Sequence, residues 1–293
     1  MTVRQMESMK PGGLGDFNIA QALLRRAMVH LVGGPLEPAS SLIFDNPEVS
    51  QHGGFKVSRS TFHSRNDSGS ILVFSPNRID GGKIANPKSS VILVLPRGSY
   101  EARSGDGTPN PLIARLVAEN HEVIVPDFID NRNGWMAATT RNLPVEFPAC
   151  YNLTPFARRV RQIAFAIQAI STKSGASDLI GIGESGPVCL FARAMLAEQK
   201  ISVVDRCMID ADYFKVDLIP KVDDGMYLPL VQRYGGLQTF GSIGDGDLRV
   251  FNWPADIEKQ WLNNRYGGSP KGPNLFHSDK DARPEDIVHY LQR

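Results

Sequence analysis

The sequence predicts an α/β protein: a mostly parallel, twisted sheet with helices on both faces and an antiparallel pair of strands at one edge. Three observations carry this. The continuous apolar run at 91–95 reads as a strand covered on both faces, and the runs at 122–126, 179–181 and 203–209 read as further buried strands. Helix-period segments separate them, so the order is strand, helix, strand, helix, strand, helix, strand. Near Gly183 a strand passes through a glycine-rich turn directly into a helix-like run.

At the N-terminal end a polar start leads into an amphipathic helix with Ile19, Leu23, Met28 and Leu31 as its apolar stripe, ended by Pro35 and Pro38. Two strand-like runs, 54–62 and 71–74, flank a separator of hairpin composition at 65–69. Next comes a loop rich in Pro, Gly and Lys. Asn110-Pro111 caps the helix after the first buried strand. A long loop covers 127–152. The helix from Pro155 carries Phe156, Val160, Ile163, Ile167 and Ile170 on one face, leaving Arg158, Arg159 and Arg161 for a solvated face. Beyond Asp212 the pattern loosens. A strand at 248–251, a helix at 254–262, a short strand at Leu275-Phe276 and a closing helix at 284–291 are expected. Residues 1–50 form a helical extension packed on the domain that residues 51–293 make.

The 293 residues carry a formal charge of +1, which argues against nucleic acid or an anionic membrane as partner. Three scattered cysteines make neither a disulfide framework nor a zinc site, and no metal is expected. Asp245-Gly-Asp247 is too short for a calcium loop. The apolar stretch at 14–32 is interrupted by charges and lacks a cleavage site, so neither a signal peptide nor a membrane span is expected, and a cytoplasmic location is.

The segment Gly181-Ile-Gly-Glu-Ser-Gly-Pro187 fits two motifs. Gly183-x-Ser185-x is four-fifths of the nucleophile elbow, with Pro187 where glycine is usual. Gly181-x-Gly183-x-x-Gly186 is also the dinucleotide fingerprint, with Asp205 where a ribose-binding acid would stand. A third reading is structural: glycines for close packing and Ser185 as a helix cap. Position favours the elbow, because a fingerprint usually opens its domain and here several units precede it.

In that order the chain resembles the α/β-hydrolase superfamily, with bacterial acetyl-esterase and dienelactone-hydrolase-like members nearest. The resemblance rests on Val91-Ile-Leu-Val-Leu-Pro-Arg-Gly-Ser99, Val123-Ile-Val-Pro-Asp127, the elbow, and Asp210-Ala-Asp-Tyr-Phe214. It implies a three-layer sandwich and a serine esterase working through an acyl-enzyme without a cofactor. Ser185 would be the nucleophile and His277, in a loop after the last strand, the base. Asp256 would orient the histidine, with Asp210 and Asp212 in reserve. The oxyanion hole would use Gly186 with Arg97 or Gly98. Tyr100, Trp135, Tyr213 and Trp253 would line a pocket for a carboxylic ester, an acylated carbohydrate among the candidates. Two further readings stay open: a nucleotide-cofactor oxidoreductase and a hydrolase-like binding scaffold without catalysis.

Overall fold

The computed structural model describes residues 14–52, 54–65, 67–77, 79–80, 83–84, 86–127, 153–172, 177–201, 204–214, 225–228, 231–255, 260–266, 275–278, 280 and 283–292. The strands are β1 (Ile43–Phe44), β2 (Glu48–His52), β3 (Phe55–His63), β4 (Ser68–Pro76), β5 (Ile79–Asp80), β6 (Lys83–Ile84), β7 (Ser90–Val94), β8 (Glu122–Asp127), β9 (Ser177–Gly181), β10 (Val204–Asp210), β11 (Asp247–Phe251) and β12 (Leu275–His277). The helices are α1 (Leu14–Leu31), α2 (Ser99–Ala102), α3 (Pro111–Ala118), α4 (Pro155–Ser171), α5 (Ser185–Glu198), α6 (Gly236–Ile243), α7 (Gln260–Tyr266) and α8 (Pro284–Leu291).

Ten strands form one sheet in the order β1-β3-β4-β8-β7-β9-β10-β11-β12, with β2 also paired to β3. The first part is antiparallel: β3 pairs β4 from Phe55↔Pro76 to His63↔Ser68, and β4 pairs β8. From β8 onward every pairing is parallel. Among the described residues no helix is long and apolar enough to cross a membrane.

The continuous apolar runs are strands because both faces are covered. Val91, Ile92, Leu93 and Val94 are all fully buried, and they alternate between two core clusters. Ile92 and Val94 pack with α4 and α5 residues such as Ile167 and Leu190. Val91 and Leu93 pack with α3 and α8 residues such as Leu116 and Ile287. The Asn110 side chain accepts a hydrogen bond from the Leu112 N–H, as its capping position predicts.

Several expectations are corrected. In α1 the stripe is rotated: Ile19 and Leu23 are 68% and 63% exposed, while Leu24, Met28, Val29 and Val32 are buried. The helix turns toward α5 and α6, and those contacts select the face. The strand β2 runs across residue 50, so the sheet begins ahead of the expected boundary. Arg161 does not face water. It makes a two-pronged contact with Asp67 at 2.7 Å through both Nε and Nη2, and Nη1 donates to the Gly34 carbonyl. Of the helix expected over 254–262, residues 260–262 lie in α7 and 256–259 lie outside the described residues, and α6 was not foreseen. The loop at 127–152 lies outside the described residues beyond Asp127.

Arg193 on α5 is fully buried and ties down the return from α6 to β11. Its Nε donates to the Asp245 carbonyl at 2.7 Å, and Nη2 to the Gly246 carbonyl at 2.5 Å and the Tyr266 hydroxyl at 2.8 Å. Removing it would strand these acceptors and leave a void. Arg193→Ala is expected to lower stability by at least about 3 kcal/mol, read as an earlier urea midpoint with little change in slope.

Candidate functional site at the carboxyl edge

The parallel strands β7, β9, β10, β11 and β12 deliver their carboxyl ends to one edge, where ligands of open α/β sheets bind. The turn between β9 and α5 lies centrally, between the ends of β7 and β10. Its geometry depends on three glycines. A Cβ on Gly181 would lie 2.8 Å from Cys189 Sγ and 2.9 Å from the Gly186 Cα. A Cβ on Gly186 would lie 1.6 Å from the Asp210 carbonyl oxygen. Both positions therefore let α5 press against the sheet. Gly183 does something different: its φ is +52°, and a Cβ there would meet only Pro96 Cγ, at 3.5 Å.

This corrects the placing of the serine. The residue that takes the left-handed turn between strand and helix is Gly183, not Ser185. Glu184 already has helical angles, and Ser185 is the first residue of α5, 4% exposed. An elbow nucleophile needs its oxygen exposed at the sheet top. The segment thus reads Gly181-x-Gly183-x-Ser185, with glycine at the apex and Ser185 in the small-residue place after it. The clue was in the sequence, since both frames of the motif were available. Choosing between them needed the backbone angle.

Two of the expected oxyanion donors are engaged elsewhere. The Gly186 N–H donates to the Gly183 carbonyl at 2.8 Å, and the Gly98 N–H to the Leu95 carbonyl at 3.0 Å. Both bonds hold turns. Arg97 projects into solvent and lies 3.7 Å from Glu101. His277 is the last residue of β12, paired with Val250, rather than a loop residue. Its side chain lies outside the described residues, as do Asp256 and Trp135.

Trp253 is 1% exposed and belongs to the core, so it lines no open pocket. Its indole is large enough to fill the interior beyond β11, and that burial decides its place. Tyr100 and Tyr213 are exposed at the edge.

The edge also carries features that the sequence did not reveal. Asp212, Tyr213 and Asn252 all have φ near +50°, at the ends of β10 and β11. Such strain in side-chain-bearing residues collects at functional sites. The three are tied together through Asp210: the Tyr213 N–H donates to the Asn252 carbonyl at 3.0 Å, and both Asn252 Nδ2, at 2.7 Å, and the Asp212 N–H, at 2.8 Å, donate to Asp210 Oδ1. Asp210, one of the reserve acids, is therefore bound to an amide. Burial, followed by the charges of Asp210 and Glu184, pushes the Asp212 carboxyl above its ordinary value. Among the described residues no group of three or more ligating side chains could hold a metal ion.

No protein-family model matches the sequence, and no curated protein matches it. Solved structures do resemble it. One is an acetyl xylan esterase from Paenibacillus sp. R4, with TM-score 0.52 and 11% identity, covering 100% of this chain and 98% of that one. Another is a glucuronoyl esterase of carbohydrate esterase family 15 from Caldicellulosiruptor kristjansonii, with TM-score 0.53 and 10% identity, covering 94% and 83%. What is shared at this identity is the fold. The chain has the α/β-hydrolase fold, a three-layer sandwich whose elbow turn comes directly after β9.

Gly183→Ala is expected to cost about 1–2 kcal/mol, the penalty of a left-handed backbone with a Cβ. Gly186→Ala is expected to cost about 3 kcal/mol or more, because the helix must move off the Asp210 carbonyl. Chemical denaturation of both variants checks the order. Asp212→Asn keeps a residue that tolerates positive φ and removes a carboxylate the fold disfavours when ionised. The wild-type penalty exists above the raised folded pKa and vanishes as pH falls below the ordinary value of 3.8. The variant should therefore be more stable than wild type at pH 7, with the gap closing toward pH 4 in thermal melts.

Proposed function

We propose that this protein binds a small acylated ligand, a carboxylic ester such as an acylated carbohydrate, at the carboxyl edge of its sheet, without a serine nucleophile at the apex of the elbow. The observation that carries the reading is the +52° φ of Gly183 together with the burial of Ser185. A hydrolase of this fold attacks with the residue at the apex. Glycine there has no atom to attack with. The loop after β7 still lies against the turn, with Pro96 Cγ 3.5 Å from where a Gly183 Cβ would stand.

A second reading keeps catalysis. Ser185 is a hydroxyl at a helix N-terminus, two residues past the apex, and β12 ends at His277 on the same sheet edge. In it Ser185 attacks the ester carbonyl and His277 takes its proton. Asp256 orients the imidazole; the tetrahedral adduct collapses, the alcohol leaves with the proton His277 returns to it, and water then hydrolyses the acyl-enzyme left behind. The esterase activity named for both structural neighbours favours it.

One experiment separates them. The protein is incubated with a fluorophosphonate probe and assayed on p-nitrophenyl acetate, alongside Ser185→Ala. The binding reading expects no labelling, and turnover equal to buffer in both proteins. It also expects amide shift changes at residues 96–99 and 183–186 on titration with acetylated xylobiose. Stoichiometric labelling at Ser185, with a loss of about three orders of magnitude in Ser185→Ala, establishes the catalytic reading instead.

A further inference from the structure

An open cavity of about 990 Å³ is lined by residues 99–101, 103–107, 110 and 111, in the segment that follows Pro96. That is the upper end of the size range of small-molecule sites. The segment that opens it also faces the elbow: Pro96 approaches the apex, and α2 begins three residues later. From this cavity we infer a binding subsite for a neutral oligosaccharide, with Tyr100 as its stacking platform. The inference rests on the proposed function only in assigning the acyl end of a substituted sugar to the elbow.

The wall chemistry selects the ligand. Pockets for apolar ligands are lined mainly by aliphatic and aromatic groups. Here the wall is built from Ser99, Glu101, Arg103, Ser104 and Asp106, with one large aromatic, Tyr100, at 78% exposure. Carboxylates accept hydrogen bonds and a guanidinium donates them, so together they match hydroxyls that do both. Glu101 and Asp106 are balanced by Arg103 in the wall and by Arg97 beside Glu101, so the site carries no net positive charge to draw a phosphate, a nucleic acid or an acidic sugar. The Thr108 N–H holds Asp106 ionised, and so an acceptor, to below its ordinary pKa. An exposed aromatic face beside polar side chains suits the C–H face of a pyranose ring.

The loop is also pre-organised. Arg103 and Pro109 form a bridge, and the Ser104 N–H donates to the Thr108 carbonyl at 2.8 Å. The Asn110 N–H donates to the Ala102 carbonyl at 2.8 Å, and its side chain caps α3. A loop closed this way loses little freedom when a ligand enters.

The test uses unacylated xylohexaose and cellohexaose, with tri-galacturonate as an acidic control, in amide-resolved NMR titrations of the full chain. Saturable shifts at residues 99–111 are expected with at least one neutral sugar and none with galacturonate. Tyr100→Ala should weaken that binding at least about fivefold and Tyr100→Phe less than twofold, as loss of a stacking face implies. Tyr100 is exposed, so neither change should alter the melting temperature. Absence of saturable shifts with both neutral sugars overturns the inference, as does affinity unchanged in Tyr100→Ala or preference for galacturonate. Because these probes carry no acyl group, their failure leaves the acyl-binding reading standing, and the reverse also holds.

Discussion

The distance between helix α5 and the sheet governs this molecule. The Gly186 Cα sits so close to the Asp210 carbonyl that no side chain fits between them, and Gly181 leaves the room that the Gly186 Cα and Cys189 occupy. Three residues, 182–184, join β9 to α5 across this close approach. One of them, Gly183, must take a positive φ. The close approach therefore fixes the conformation of the turn, and the turn decides which residue stands at its apex.

That conformation imposes a functional constraint. Ser185 is drawn into the first turn of α5 and buried, because the helix that contains it is pressed against β9 and β10. The N–H groups of Ser185 and Gly186 are taken up by the carbonyls of Ile182 and Gly183. The polar character of the edge comes from neighbouring strand ends instead. Asp210, Asp212 and Asn252 are held in a linked, strained arrangement that the parallel pairing of β10 and β11 brings together.

The outer layer has the same logic. Arg193 extends from α5 and holds the α6-to-β11 return through backbone carbonyls, so an ion-pairing residue acts as a bracket for main chain. Cys189 and Cys207 sit in the same packed region. Burial pushes both thiols up, Cys207 to about 11, so they behave as small apolar groups rather than nucleophiles. Arg161 does for α4 what Arg193 does for α5, joining it to Asp67 in the β3–β4 hairpin and to the carbonyls after α1.

Much was determined by the sequence alone. The short apolar runs around Val91, Val123 and Leu179, bounded by polar or turn residues, fit strands covered on both faces, and Asn110-Pro111 and Pro155 mark helix starts through local chemistry. These signals need no distant partner. The face of α1, the strand β2 and the helix α6 were not legible. Their apolar residues are sparse, and neighbours remote in sequence, α5 above all for α1, choose which of them are buried. The elbow shows the limit most clearly. Gly181-Ile-Gly-Glu-Ser-Gly-Pro187 reads equally well with its apex at Gly183 or Ser185, because the spacing of small residues is two in either frame. The register is set by where Gly186 meets the Asp210 carbonyl, a contact between α5 and β10 that exists only once the sheet has formed.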